Sequence, residues 1–148
     1  MNLHIRPLIS LLLVLVSGFL INTTSIIAAQ IPDSYSPSKI EQIQLLASPL
    51  KAYEERLKKL EGLIDKKEWV NTRTLIHGPL GRLRQDLRNI SDNLLPQDQI
   101  KAKSLAKDLF VHFERIDAAA KSRNGAAAVE QFREAVKDFG DYLDLLPS

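Results

Sequence analysis

Apolar residues recur in this chain at helical spacing in four successive stretches, and nowhere does an alternating pattern replace them. Steps of three and four keep one stripe of a helix buried, whereas a half-buried strand needs steps of two. The first stripe is Ile43, Leu46, Leu50, Tyr53, Leu57, Leu60 and Ile64; the second is Trp69, Ile76, Leu80, Leu83, Leu87, Ile90 and Leu94. The third is Ala102, Leu105, Ala106, Leu109, Phe113, Ile116 and Ala120, and the fourth Val129, Phe132, Val136, Phe139, Leu143 and Leu146. Four helices with short connections and one apolar face each predict an all-α, up-down-up-down four-helix bundle over residues 38–148.

Local signals place the boundaries. Ser38 and Glu41 stand at capping-box spacing, which starts the first helix near Ser38. Pro49 lacks an amide hydrogen and clashes with the preceding turn, so a kink or restart is expected there with the buried face kept. Asp65 followed by Glu68 reads as the cap of a second helix running to about Leu95, interrupted at Gly78-Pro79. Pro96 suits the first position of a third helix covering roughly residues 98–122. Asn124-Gly125 reads as its stop signal before the fourth.

The start of the chain follows a different logic. Arg6 precedes an apolar run over residues 8–21, followed by Ile27-Ala28-Ala29. That is the layout of a secretory signal peptide with small residues at the cut, here expected after Ala29. The run is about 14 residues, short of the roughly 20 that span a bilayer. Ile27-Ala28-Ala29-Gln30 looks like a bacterial lipobox with Gln30 in place of the lipidated cysteine, so a soluble product is expected. Residues 30–37, with Pro32 and Pro37, form a short irregular lead. Arg6 is the leader's single charge, so its removal lowers the net charge from +2 to +1. Near-neutrality gives no reason to expect nucleic acid or general membrane binding.

Catalytic and cofactor chemistries lack their residues. There is no cysteine, hence no disulfide, thiolate site or thioether haem attachment. The one methionine is Met1, and no Glu-x-x-His pair of the di-iron bundles occurs. No serine stands in a GxSxG turn. The acids mostly interleave with lysine and arginine, as in Glu54, Glu55, Arg56, Lys58 and Lys59, the pattern of a solvated helix face. No catalytic, cofactor-binding or metal residue is assigned. Two histidines lie beyond the leader, His77 and His112, and a zinc site would need both plus a carboxylate.

A row of cations remains. On a helical wheel Arg73, His77, Arg84 and Arg88 line one flank of the second helix beside its core stripe, while Arg82 points away. They either pair with acids of the first or third helix, or form a docking edge for a carboxylate-bearing partner, a task suited to the planar fork of arginine. Trp69, at the start of that helix, either caps the core or anchors an interface.

Trp69, the Ile76-His77-Gly78-Pro79-Leu80-Gly81 turn, Arg84 and Asp86-Leu87 together resemble the PsbQ family of photosystem II extrinsic subunits. So do Leu94-Leu95-Pro96, Ala106-Lys107-Asp108-Leu109-Phe110, Ile116-Asp117, Ala119-Ala120 and the ending Asp138-Phe139, Tyr142-Leu143, Leu145-Leu146-Pro147. The likeness runs along nearly the whole chain after the leader and is closest to the cyanobacterial members. It implies a helical bundle in the thylakoid lumen, peripheral on the lumenal side of the thylakoid membrane. There such a protein would stabilise and shield the oxygen-evolving complex. It implies support of the calcium and chloride requirement of the manganese-calcium cluster without direct binding of metals or other cofactors. It implies as partners the inner-antenna protein CP47 and the manganese-stabilising extrinsic protein. Many cyanobacterial members carry the lipobox cysteine that Gln30 replaces here, so this member is either freely soluble in the lumen or attached wholly through protein contacts. The residues taken alone also fit another class, a stand-alone exported bundle binding a metal or small ligand through His77 and His112.

Overall fold

A computed structural model describes residues 34–148. The leader, its cut after Ala29 and residues 30–33 of the irregular lead lie outside the described residues. Within them the chain is all-helical, in six segments rather than four. These are α1 (Pro37–Ala47), α2 (Leu50–Asp65), α3 (Trp69–His77), α4 (Leu83–Ser91), α5 (Pro96–Lys121) and α6 (Gly125–Leu143). None of these helices is long and apolar enough to cross a membrane.

The two extra breaks fall at the two prolines. α1 ends at Ala47 and α2 resumes at Leu50, with Pro49 as its N-cap in helical geometry. Ile43, Leu50 and Tyr53 are all buried, so the stripe continues across the break as expected. The second break is wider, because residues 78–82 form a turn between α3 and α4. Leu80 plugs the core from within that turn and is fully buried. Its amide bonds to the Leu75 carbonyl at 3.1 Å, one residue beyond the α-helical partner. Gly81 sits in a tight space, since a Cβ there would meet the carbonyl oxygens of His77 and Gly78 at 3.1 and 3.2 Å and the turn would have to give by a few tenths of an ångström. Arg56 donates to the Pro79 carbonyl at 2.9 Å, which ties the turn to α2, and Tyr53 donates to Asp86 of α4 at 2.6 Å.

Several helix ends differ from the sequence expectation. The first cap is Ser36, whose hydroxyl accepts from the Lys39 amide, and Pro37 takes the first helical position. Ser38 lies inside the helix because a proline one residue earlier is already suited to start it. Asp65 is the last residue of α2, not a cap of α3. The second helix does not reach Leu95, since α4 stops at Ser91 and residues 92–95 turn towards Pro96. Asn124 does not stop α5; it caps α6 by accepting from the Ala127 amide at 3.1 Å.

α2 and α5 instead end in the same closed turn. The amides of Lys67 and Glu68 bond to the carbonyls of Ile64 and Leu63, and those of Arg123 and Asn124 to Ala120 and Ala119. This Schellman pattern places one residue in the left-handed region, normally glycine. Here it is Lys67 (φ 56°) and Arg123 (φ 55°).

Cross-links between neighbours run antiparallel. α1–α2 meets α3–α4 through Lys39–Asn93, Tyr53–Asp86 and Arg56–Pro79. α4 meets α5 through Lys103–Asp92 and Arg84–Glu114. The first three stripes stay largely in the core, while the fourth is rotated. α6 buries Ala128, Phe132, Ala135, Phe139 and Tyr142, and Val136 is 41 % exposed. Small alanines on the inner face let α6 approach its neighbours closely, and the larger Val136 lies on the outer side. Tyr142 is tied down by donating to the Leu87 carbonyl at 2.8 Å, with Ser91 Oγ 2.9 Å away. Burial pushes its phenol up to about 12.

Candidate functional site

The expected cation row stays on one flank, in the groove between α3–α4 and α5, but most of it is already engaged. Arg73 Nε donates to Asp117 Oδ1 at 2.9 Å, and His77 Nε2 lies 2.8 Å from the same oxygen. Burial works to raise the Asp117 carboxyl, but the bonds and charges of Arg73 and His77 outweigh it and hold the group below the ordinary carboxylate range. Arg84 stacks its guanidinium 4.1 Å above the Phe110 ring and reaches Glu114 at 3.6 Å. The row is therefore neither wholly paired nor wholly free. Arg88 is exposed and makes no ion pair among the described residues; it shares a groove with Arg84, Lys103 and Lys107. Lys103 in turn pairs with Asp92 at 2.8 Å.

Trp69 is half-buried against the core at one end of the molecule, with the edge of its ring towards Gly125. A Cβ on Gly125 would sit 3.6 Å from that ring, in ordinary contact. Trp69 thus joins the α2–α3 and α5–α6 turns and leaves part of its surface open beside Val70.

The histidines do not converge. His77 turns to Asp117, while His112 faces α6, its Nδ1 2.9 Å from Gln131 Oε1 and its Nε2 3.4 Å from Asp138 Oδ2. Gln131 Oε1 is an acceptor, so Nδ1 carries the hydrogen. Asp138 Oδ2 is buried and has no hydrogen-bond partner. Burial raises this carboxyl above the usual range; His112 and Lys137 pull it down, and Asp108 and Asp141 push it up. Among the described residues no group of three or more histidines and carboxylates is placed to hold a metal ion.

Asp117, Asp138 and Phe110 stand in the segments that carry the family resemblance, but no sequence pattern assigned any of them a role at the site. The signal was present. Asp117 follows Ile116 and Asp138 precedes Phe139, so each carboxylate borders a buried stripe and must find a partner or accept poor solvation.

The model of the PsbQ family, described as oxygen evolving enhancer protein 3, matches residues 11–147. The chain belongs to the PsbQ family. The resemblance carried by the Ile76–Gly81 turn and the helical segments around it is therefore met. CyanoQ of Synechocystis sp. is 49 % identical over 145 residues, which are 97 % of this chain and 97 % of that protein. Within the PsbQ framework, this chain carries a partly occupied cationic flank and an end capped by Trp69.

Proposed function

We propose that this protein is a non-catalytic extrinsic subunit of photosystem II, peripheral on the lumenal side of the thylakoid membrane. Its six helical segments act as four arms of an up-down-up-down bundle, α1–α2 and α3–α4 each being one arm broken at proline. In this reading it stabilises and shields the oxygen-evolving complex and so supports its calcium and chloride requirement, binding no metal itself. Its neighbours are CP47 and the manganese-stabilising protein. Export by the leader delivers it to the lumen.

The observation that carries this reading is the PsbQ match across residues 11–147, reinforced by 49 % identity to CyanoQ over nearly the full length of both chains. The cationic flank supplies a means of docking. Arg84 and Arg88 offer exposed guanidinium groups, while Arg73 and His77 are held by Asp117 and position the flank. A C-terminally tagged chain, captured from detergent-solubilised thylakoids, is expected to bring down active oxygen-evolving complexes containing the manganese-stabilising protein. Recovery of the tagged chain alone at low salt, with intact photosystem in the flow-through, would contradict the proposal.

A further inference from the structure

The end of the molecule that carries Trp69 holds a basic cleft lined by Lys67, Arg73, Lys121 and Arg123, with Trp69 and Val70 beside them. No carboxylate lines it. Arg73 is bound to Asp117, but Lys67, Lys121 and Arg123 form no ion pair among the described residues. Val70 is 79 % exposed, an apolar side chain left open amid the cations.

Two of these cations stand where their backbone is least comfortable. Lys67 and Arg123 both occupy the left-handed position that ends α2 and α5, where a side chain crowds the neighbouring carbonyl and glycine does not. A cation at a helix C-terminus is favourable with the helix dipole. That does not account for these two, because Lys66 and Lys121 already stand at the same helix ends. A non-glycine residue in this conformation carries a cost, and such residues cluster at ligand clamps and switch regions. Both strained residues line the one cleft, on opposite sides of Trp69 in the chain.

We propose that this end cleft docks an acidic protein segment carrying an apolar side chain. Carboxylates of the segment pair with Lys67, Lys121 and Arg123, and its apolar residue covers Val70 and the open part of Trp69. The inference rests on the photosystem reading only for the identity of the partner. The cleft itself is testable with a peptide, so the two can fail separately.

The probe is a fluorescein-labelled peptide of alternating glutamate and leucine, titrated with the protein at low ionic strength and followed by anisotropy. The test variant is Lys67→Gly/Arg123→Gly, and the charge-matched control is Lys51→Gln/Lys101→Gln. The wild type is expected to bind, the test variant to bind at least tenfold more weakly while melting at a higher temperature, and the control to stay within twofold. Lys67→Arg/Arg123→Lys, which keeps the charges, should also stay within threefold. No binding by the wild type, equal binding by the test variant, or an equal loss in the control would each overturn the proposal. A test variant that melts lower than wild type would remove the argument from strain and count against it. Capture of photosystem II by the tagged chain tests the docked-subunit reading separately.

Discussion

Asp117 and Asp138 are the same residue type in opposite circumstances. Their side chains are 20 % and 13 % exposed, and each has a histidine Nε2 nearby, at 2.8 and 3.4 Å. Asp117, between α3 and α5, also receives Arg73 and is held below the normal carboxylate range. Asp138, between α5 and α6, has a buried oxygen with no hydrogen bond and is pushed above it. Burial alone sets neither outcome. The decisive difference is whether donors reach the carboxylate at bonding distance, since a half-satisfied buried charge costs more than its attraction returns. The α3–α5 seam is thus strengthened by its ions and the α5–α6 seam is held by apolar packing.

The largest expected effect is at Asp117. Asp117→Ala leaves Arg73 and His77 without their acceptor and should lower stability at neutral pH by about 1–2 kcal/mol, discounted for the exposure of both partners. Urea unfolding measures it. A depressed carboxyl contributes stability above its unfolded value of about 4, and the contribution is lost as pH falls through the folded value. The gap between wild type and Asp117→Ala should therefore close on acidification.

Asp138→Asn should act in the opposite direction, raising stability at neutral pH by roughly 1 kcal/mol, because it removes a poorly solvated charge and keeps the shape. A melting-point rise of about 3–6 °C would accompany that. For a raised carboxyl the sign reverses. The penalty appears as pH rises from the unfolded value through the folded one, so the gain from Asp138→Asn should vanish at low pH. A destabilised Asp138→Asn would show that the contact with His112 outweighs burial.

Double-mutant cycles sharpen the contrast further. Arg73 with Asp117 should couple by about 0.5–1 kcal/mol, and His112 with Asp138 by less than about 0.5 kcal/mol. The smallest effect is His77→Gln, a few tenths of a kcal/mol by thermal melting, since the amide can still donate to Asp117 and the site is exposed.

The sequence was most legible where one physical term dominates. Leu50, Tyr53, Leu57 and Leu60 were placed in the core from spacing alone, because a large apolar side chain on the inner face has no competing option. α6 was misread by about one residue: Phe132 and Phe139 are compatible with two stripes, and small alanines rather than Val136 decide between them. Cap positions were misread because several polar residues compete at each helix start. Ser36 prevails over Ser38 through Pro37, and Asn124 reads equally well as a stop or a start until α5 is seen to close on Arg123. The cation row lies along one flank, against α5, but its partner Asp117 lies 44 residues from Arg73, a pairing that no local pattern encodes.

On the proposed function, this subunit would protect the oxygen-evolving complex by docking rather than by chemistry. The direct measurement is oxygen evolution in thylakoids lacking the protein, assayed at limiting calcium and chloride, before and after adding it back with bound amount quantified. Restoration of activity in proportion to bound protein, with no effect when both ions are abundant, is the predicted result. Saturated binding that leaves activity at limiting calcium and chloride unchanged would contradict it.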